Sequence, residues 1–356
     1  MFKQLFLLAA ALIILSGCDS SFDPGWVKPM EFEFLKNVEV GKQPSKIYYD
    51  EYKHIFHVFC LGVDLYWDGI KDAGDENPSW WIIDKNDIDN PQKKMEFDFA
   101  SMGLPFRPAV DFDEGLLFIS QNGKIKTYNM NNYSFIEDVG DYWADAISKS
   151  GDFLFLSMNP IQNDNGEVLV YNYKTNEEFG KIQGGLYTKQ TVYYESGGKK
   201  ILAIVSEGLG NGDAMLQFAE LKQNSLELVR TYSGLGNYGN FLAYNGNQLA
   251  YILNGSHEIM LINPYDFSVT ETINTGTDGF KGPREAVFNG TSELLVSTYN
   301  EDFRSINLNS GNVKEIYPVV SKAEGLCLVR DELLLVSNIS NADYSANNVI
   351  SVFQAK

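Results

Sequence analysis

A short unit of sequence keeps returning along this chain, and that recurrence restricts the fold more than any other feature. From Pro283 it reads Glu285-Ala-Val-Phe288, the turn Asn289-Gly-Thr-Ser292, and then Leu294-Leu-Val-Ser297. An alternating run Phe303-Arg-Ser-Ile-Asn-Leu308, the turn Asn309-Ser-Gly311 and Val313-Lys-Glu-Ile316 complete it. Short runs of Val, Ile, Leu and aromatics, punctuated by Asn, Gly, Asp and Ser, are the pattern of β-hairpins. The same order of runs and turns begins near Ser45, Arg107, Trp143, Gln190, Asn240, Pro283 and Glu324. The spacing is roughly 35 to 50 residues apart from a longer first unit, and four strands at that period predict the blades of a propeller. No intervening stretch carries a helical period.

The leftovers of this pattern are informative. The last unit offers three strands only, and a spare apolar strand at 30–35 precedes the first unit. Pairing the two would close the ring and hide an exposed edge. The expectation is therefore an all-β chain, a seven-bladed β-propeller with the N-terminal strand closing the last blade. The irregular unit at Gln190 leaves six or eight blades open.

Residues 1–17 read as an export signal. A basic start ending at Lys3 leads into an apolar run at 5–15 that is too short to span a bilayer, and small residues precede Cys18. Leu15-Ser-Gly-Cys18 resembles the lipobox of bacterial lipoproteins, which implies that Cys18 is lipidated and becomes the mature N-terminus. Residues 18–29 then form a polar tether and 30–356 the propeller. Several acyl chains on one residue would hold the body durably at a membrane. The outer membrane or cell surface is favoured over the inner membrane. Asp19 and Asp23 fit surface export loosely, whereas Asp19 alone would mean inner-membrane retention under enterobacterial sorting.

Two segments opening on proline, Val40-Gly-Lys-Gln-Pro44-Ser-Lys-Ile-Tyr-Tyr49 and Gly282-Pro-Arg-Glu-Ala-Val-Phe288, resemble the strand openings of YVTN/YncE-like propellers. Val168-Leu-Val-Tyr-Asn172, Glu258-Ile-Met-Leu-Ile-Asn263 and Asn348-Val-Ile-Ser-Val-Phe353 are similar to that family's third strand. The Tyr-Val-Thr-Asn hallmark is absent, and Leu335-Val-Ser-Asn338 is the nearest phrase. Lipidated propellers of this kind on the surface of Bacteroidota capture cobalamin or siderophores for outer-membrane transporters. The resemblance implies a comparable role by fold analogy alone.

Composition narrows the partners. A net charge of −19 and a pI near 4.5 argue against nucleic acid or anionic lipid as a ligand. Besides Cys18 only Cys60 and Cys327 occur, both inside apolar runs, and they read as buried thiols rather than a disulfide. The three histidines, His54, His57 and His257, form no metal-binding pattern, since His54 and His57 would lie on opposite faces of one strand. No nucleophile elbow, haem motif or phosphate loop is present. The reading is of a binding protein, not an enzyme, with the cofactor unknown and no metal assigned. Calcium at Asp72, Asp75 and Glu76 stays open, although the spacing departs from an EF-hand loop. A lactonase or hydrolase on a propeller scaffold is a third alternative.

A propeller works through the end of the ring where strand-opening residues and second-to-third-strand loops meet. The opening residues are Lys46, Arg107, Asp145, Lys189, Asn240, Arg284 and Glu324. The longest loop, 61–79, carries Tyr66 and Trp67 and leads into Trp80 and Trp81, of which Trp81 is expected in the core. Long loops of this kind are often functional. Tyr66, Trp67 and Trp80 are candidate stacking residues, and Arg107, Lys189 and Arg284 candidate polar contacts. The expected partner is a small molecule of the cobalamin, siderophore or glycan class passed to a TonB-dependent transporter. An envelope scaffold that binds other proteins is the alternative.

Overall fold

In a computed structural model of the chain, residues 30–66, 71–99, 107–159, 165–223 and 225–356 are described. Among these there is no helix, and therefore none long and apolar enough to cross a membrane. Seven four-stranded antiparallel sheets follow one another as the blades of a propeller. Blades 1 to 6 span 44–96, 109–140, 146–186, 188–232, 239–274 and 283–318, each a meander from an inner to an outer strand. The unit at Gln190 is a regular blade. Blade 7 takes three strands from 322–355 and its outer strand, Phe32–Glu39, from the other end of the chain. That strand pairs antiparallel with Ala346–Ala355, Phe32 opposite Ala355 and Glu39 opposite Val349, and runs four residues past the expected end at 35.

The turns have a repeated physical cause. In blades 2, 3 and 6 the third strand ends on Asn129, Asn172 and Asn307, and in blade 5 Asn263 follows its last residue; the side-chain oxygens of these asparagines accept the N–H two residues on. Four residues after each asparagine the backbone is left-handed, at Tyr133, Asn176, Phe267 and Gly311. An asparagine that mimics a backbone turn, followed by one left-handed residue, reverses the chain into the outer strand.

Blades pack face to face. Ile252 and Ile259 of blade 5 meet Leu294 and Val296 of blade 6. Phe56 and Val58 of blade 1 meet Leu335 and Ile350 of blade 7. The second strands are consequently buried on both faces: every residue of Glu293–Thr298 and of Leu333–Ser340 is buried. Cys60 and Cys327 lie in the cluster between blades 1 and 7 as free thiols, and burial pushes both up to about 12. They are packing groups, as expected.

An antiparallel meander places the first-to-second and third-to-fourth hairpins at one end of the ring, here the hairpin face. The second-to-third loops and the connections between blades gather at the other end, the loop face. Cys18, Trp67 and the lipobox lie outside the described residues.

Candidate functional site

The inner strands open on the loop face with a repeated irregularity. The register of blade 1 slips between Pro44 and Lys46, of blade 4 between Thr188 and Gln190, and of blade 5 between Gly239 and Phe241. Blade 6 slips between Pro283 and Ala286 and blade 7 between Ala323 and Leu326. A bulge re-aims the unpaired side chain. The residues so released include Lys189, Asn240, Arg284, Glu285 and Glu324, and they meet those of other blades across the ring. In blades 6 and 7 a serine from the second strand fills the gap: Glu285 N–H donates to Ser297 Oγ (3.0 Å) and Gly325 N–H to Ser337 Oγ (2.7 Å).

Two ion-paired groups occupy this inner region. Lys46 Nζ lies 2.8 Å from Glu285 Oε2, and Arg107 Nη2 3.6 Å from Glu285 Oε1. Arg107 also donates to the Lys189 carbonyl (3.2 Å), and both cations lie over the Phe241 ring, at 5.0 and 5.1 Å. In the second group Arg284 donates through Nε and Nη2 to Glu324 (2.8 and 3.1 Å), and Tyr299 Oη donates to Glu324 Oε2 (2.7 Å). Burial opposes the charge on Arg284, but Glu324, with Tyr299 and Glu207 adding to it, outweighs burial and holds the guanidinium further into its cationic form. Burial next to that carboxylate keeps the Tyr299 hydroxyl protonated. Asn240 donates to the Arg284 carbonyl (2.8 Å), and Lys189 pairs with Glu207 at 3.2 Å.

These pairs correct part of the expected site. Arg107 and Arg284 are engaged inside the ring rather than presented to a ligand, because a buried guanidinium needs a carboxylate at hand. Lys189 is half exposed at the rim. Sequence reasoning missed Glu285 and Tyr299. A glutamate beside Arg284 in an otherwise apolar strand was the available signal for the first.

Trp80 is the second correction. It is wholly buried, stacked on Phe59 with centroids 5.6 Å apart, and its Nε1–H donates to His57 Nδ1 (3.1 Å). It is a core residue of the blade 1–2 contact. Trp81 is instead half buried, donates to Ser79 Oγ (3.0 Å), and floors a groove of about 210 Å³ with Lys71, Glu76, Lys93 and Glu96. Trp81 also packs against the core cluster between blades 1 and 7, so Trp80 leaves the expected stacking set while Trp81 meets the core with part of its ring only.

The long loop is a small pinned hairpin. Val63 bridges Glu76, and the buried Asp75 carboxylate accepts the N–H groups of Leu65 and Asp72, both at 2.8 Å. Asp75 thus serves the backbone, and among the described residues no group of three His, Cys, Asp or Glu side chains is placed to hold a metal. The loop holds Tyr66 out on the loop face, 68% exposed. Trp143, Tyr238, Phe280 and Tyr344, from other connections and loops of the same face, are exposed as well, Phe280 by 88%. Tyr238 is held in a left-handed backbone against Gly210, where a Cβ would come within 2.5 Å of its ring. Only glycine lets that ring lie so close.

His57 supports a pH prediction. Burial lowers its pKa to about 4, against a smaller opposing pull from Asp50, whose Oδ2 is 4.0 Å from Nε2. Its Nδ1 already accepts the Trp80 N–H, so protonation there would set two donors against each other. In the unfolded chain the imidazole takes a proton near pH 6.5, so between about 6.5 and 4 the unfolded state binds more protons. The stability from this residue is full above that window and falls by about 3 kcal/mol as pH drops through it. Denaturant titrations at pH 7, 5.5 and 4 should show the difference between wild type and His57→Gln shrinking as pH falls. A constant difference would contradict this assignment.

Compared with known proteins, the chain matches no protein-family model and no curated protein.

Proposed function

We propose that this chain is a lipid-tethered binding protein that captures a ligand at the loop face of its ring. The observation that carries the reading is the set of exposed aromatic side chains, Tyr66, Trp143, Tyr238, Phe280 and Tyr344, on one face of a rigid scaffold. Aromatic side chains give large contact area at low entropic cost, and they concentrate where binding energy does. The scaffold bears the cost of ordering the site before the ligand arrives. The proline-opened strands of blades 1 and 6 both begin at the mouth of the ring, and the kinship with YVTN/YncE-like propellers rests on the sequence likeness of those openings. On that kinship, the ligand is a small molecule of the cobalamin, siderophore or glycan class, passed to an outer-membrane transporter.

Replacing Tyr66 and Trp67 together by Ala is expected to leave thermal stability unchanged and to cost roughly 2 kcal/mol of binding, about thirtyfold in affinity. Calorimetry against cobalamins, siderophores and glycans measures it. The second reading, an envelope scaffold, gains from the spread of the aromatics over several blades, wider than one small ligand would cover. If the whole panel fails to bind while envelope proteins co-purify through the loop at 61–78, that second reading replaces the first. Anchoring has its own check: Cys18→Ala should abolish fatty-acid labelling and release the protein from the membrane fraction.

A further inference from the structure

We infer that the ring faces the bilayer that carries its anchor with the hairpin face, so that the loop face is turned outward. This rests on the tethered reading above and adds a direction to it. The outer strand of blade 7 has one polarity only: Phe32 pairs with Ala355 at the hairpin face, and Glu39 with Val349 at the loop face. The chain therefore enters the ring at the hairpin face. The point of arrival is clamped, because Met30 is buried against blades 6 and 7 and its N–H donates to Glu293 Oε2 (3.2 Å). Glu293 is itself buried beside the first hairpin of blade 6, where Asn289 donates to the same oxygen (2.6 Å). Lys356 N–H donates to the Glu31 carbonyl (2.8 Å) and ties the C-terminus to the same spot.

Only residues 19–29 separate Cys18 from this clamp. Eleven residues span at most about 36–40 Å when fully extended. As a flexible chain their root-mean-square reach is about 17–20 Å. The eight-residue strand Phe32–Glu39 rises about 26 Å along the edge of the blade. To lay the loop face on the lipid, the tether would have to retrace that height outside the ring and stay stretched beyond its root-mean-square reach. With the hairpin face down it needs almost none of its length. The exposed side chains of that face include Tyr52 and Tyr265, amphipathic rings suited to the headgroup layer.

Energy transfer to the bilayer reads the orientation directly. Donor fluorophores are placed at Tyr265→Cys on the hairpin face or Phe280→Cys on the loop face of the full lipidated chain. The protein is reconstituted in phosphatidylcholine vesicles with headgroup-labelled acceptor lipid. Both native thiols in the ring are buried and stay unlabelled. Transfer from position 265 is expected to exceed that from 280 severalfold, and a Gly/Ser insert of roughly 24 residues after Lys28 to remove the difference. Equal or reversed transfer in a protein shown by mass to carry its lipid overturns the orientation and leaves the anchor intact. A difference that survives the insert also overturns it. A chain that carries no lipid and does not bind vesicles overturns both the anchor and the orientation.

Discussion

A chain lacking residues 30–36 is expected to lose several kcal/mol of stability and to aggregate. The deletion removes Met30 and Phe32, both buried, and with Phe32 two edge-to-face contacts, to Phe303 and Tyr317, each with centroids 5.7 Å apart. Burial of one large apolar side chain is worth about 1.5–3 kcal/mol, and two are lost together with most of a strand's backbone pairing. What remains is worse than a cavity. Much of Ala346–Ala355 becomes an unpaired edge, a template for the next molecule. A synthetic peptide of residues 30–39 should restore the melting temperature by adding the strand back. Unchanged stability of the deleted chain would mean that the ring does not depend on this closure.

Glu324→Ala is expected to be among the most damaging single substitutions. It removes the carboxylate that accepts two bonds from Arg284 and one from Tyr299, in a position with no solvent to replace it. Breaking a buried pair from one side costs about 3–5 kcal/mol, because the surviving charge is left without compensation. In a chain of this size the melting temperature should fall on the order of 10 °C. Glu324→Gln keeps an acceptor for the tyrosine and should fall between the two. The double variant Arg284→Met with Glu324→Leu should recover most of the loss. If the double variant is no better than Glu324→Ala, the damage comes from packing and not from the stranded guanidinium.

The architecture was legible because hairpin punctuation is local. Asn245-Gly246 and Asn309-Ser-Gly311 mark turns whatever surrounds them, and the strands between them could be counted. The closing strand was legible for a different reason, since a three-stranded remainder and a spare apolar run account for each other. The roles of Trp80 and Trp81 were not legible. Ser79-Trp-Trp-Ile-Ile83 is apolar without alternation, as expected of a strand covered on both sides, so period two cannot say which ring faces inward. The fates of Arg107 and Arg284 were hidden for a deeper reason. Their partners come from other blades, Arg107 facing Glu285 and Arg284 facing Glu324, and proximity across the ring has no trace in a linear pattern.

The seam in blade 7 also bears on the order in which the ring can assemble. Ser351 Oγ donates to Asn37 Oδ1 across 314 residues of sequence (2.9 Å). The first strand to be made must therefore wait, unpaired, for the last. Contacts of such long range form late, since loop closure precedes any gain from them. A chain still being made cannot lock shut behind itself. The ring becomes a ring only when its final residues arrive, and until then both ends of the seam stand open.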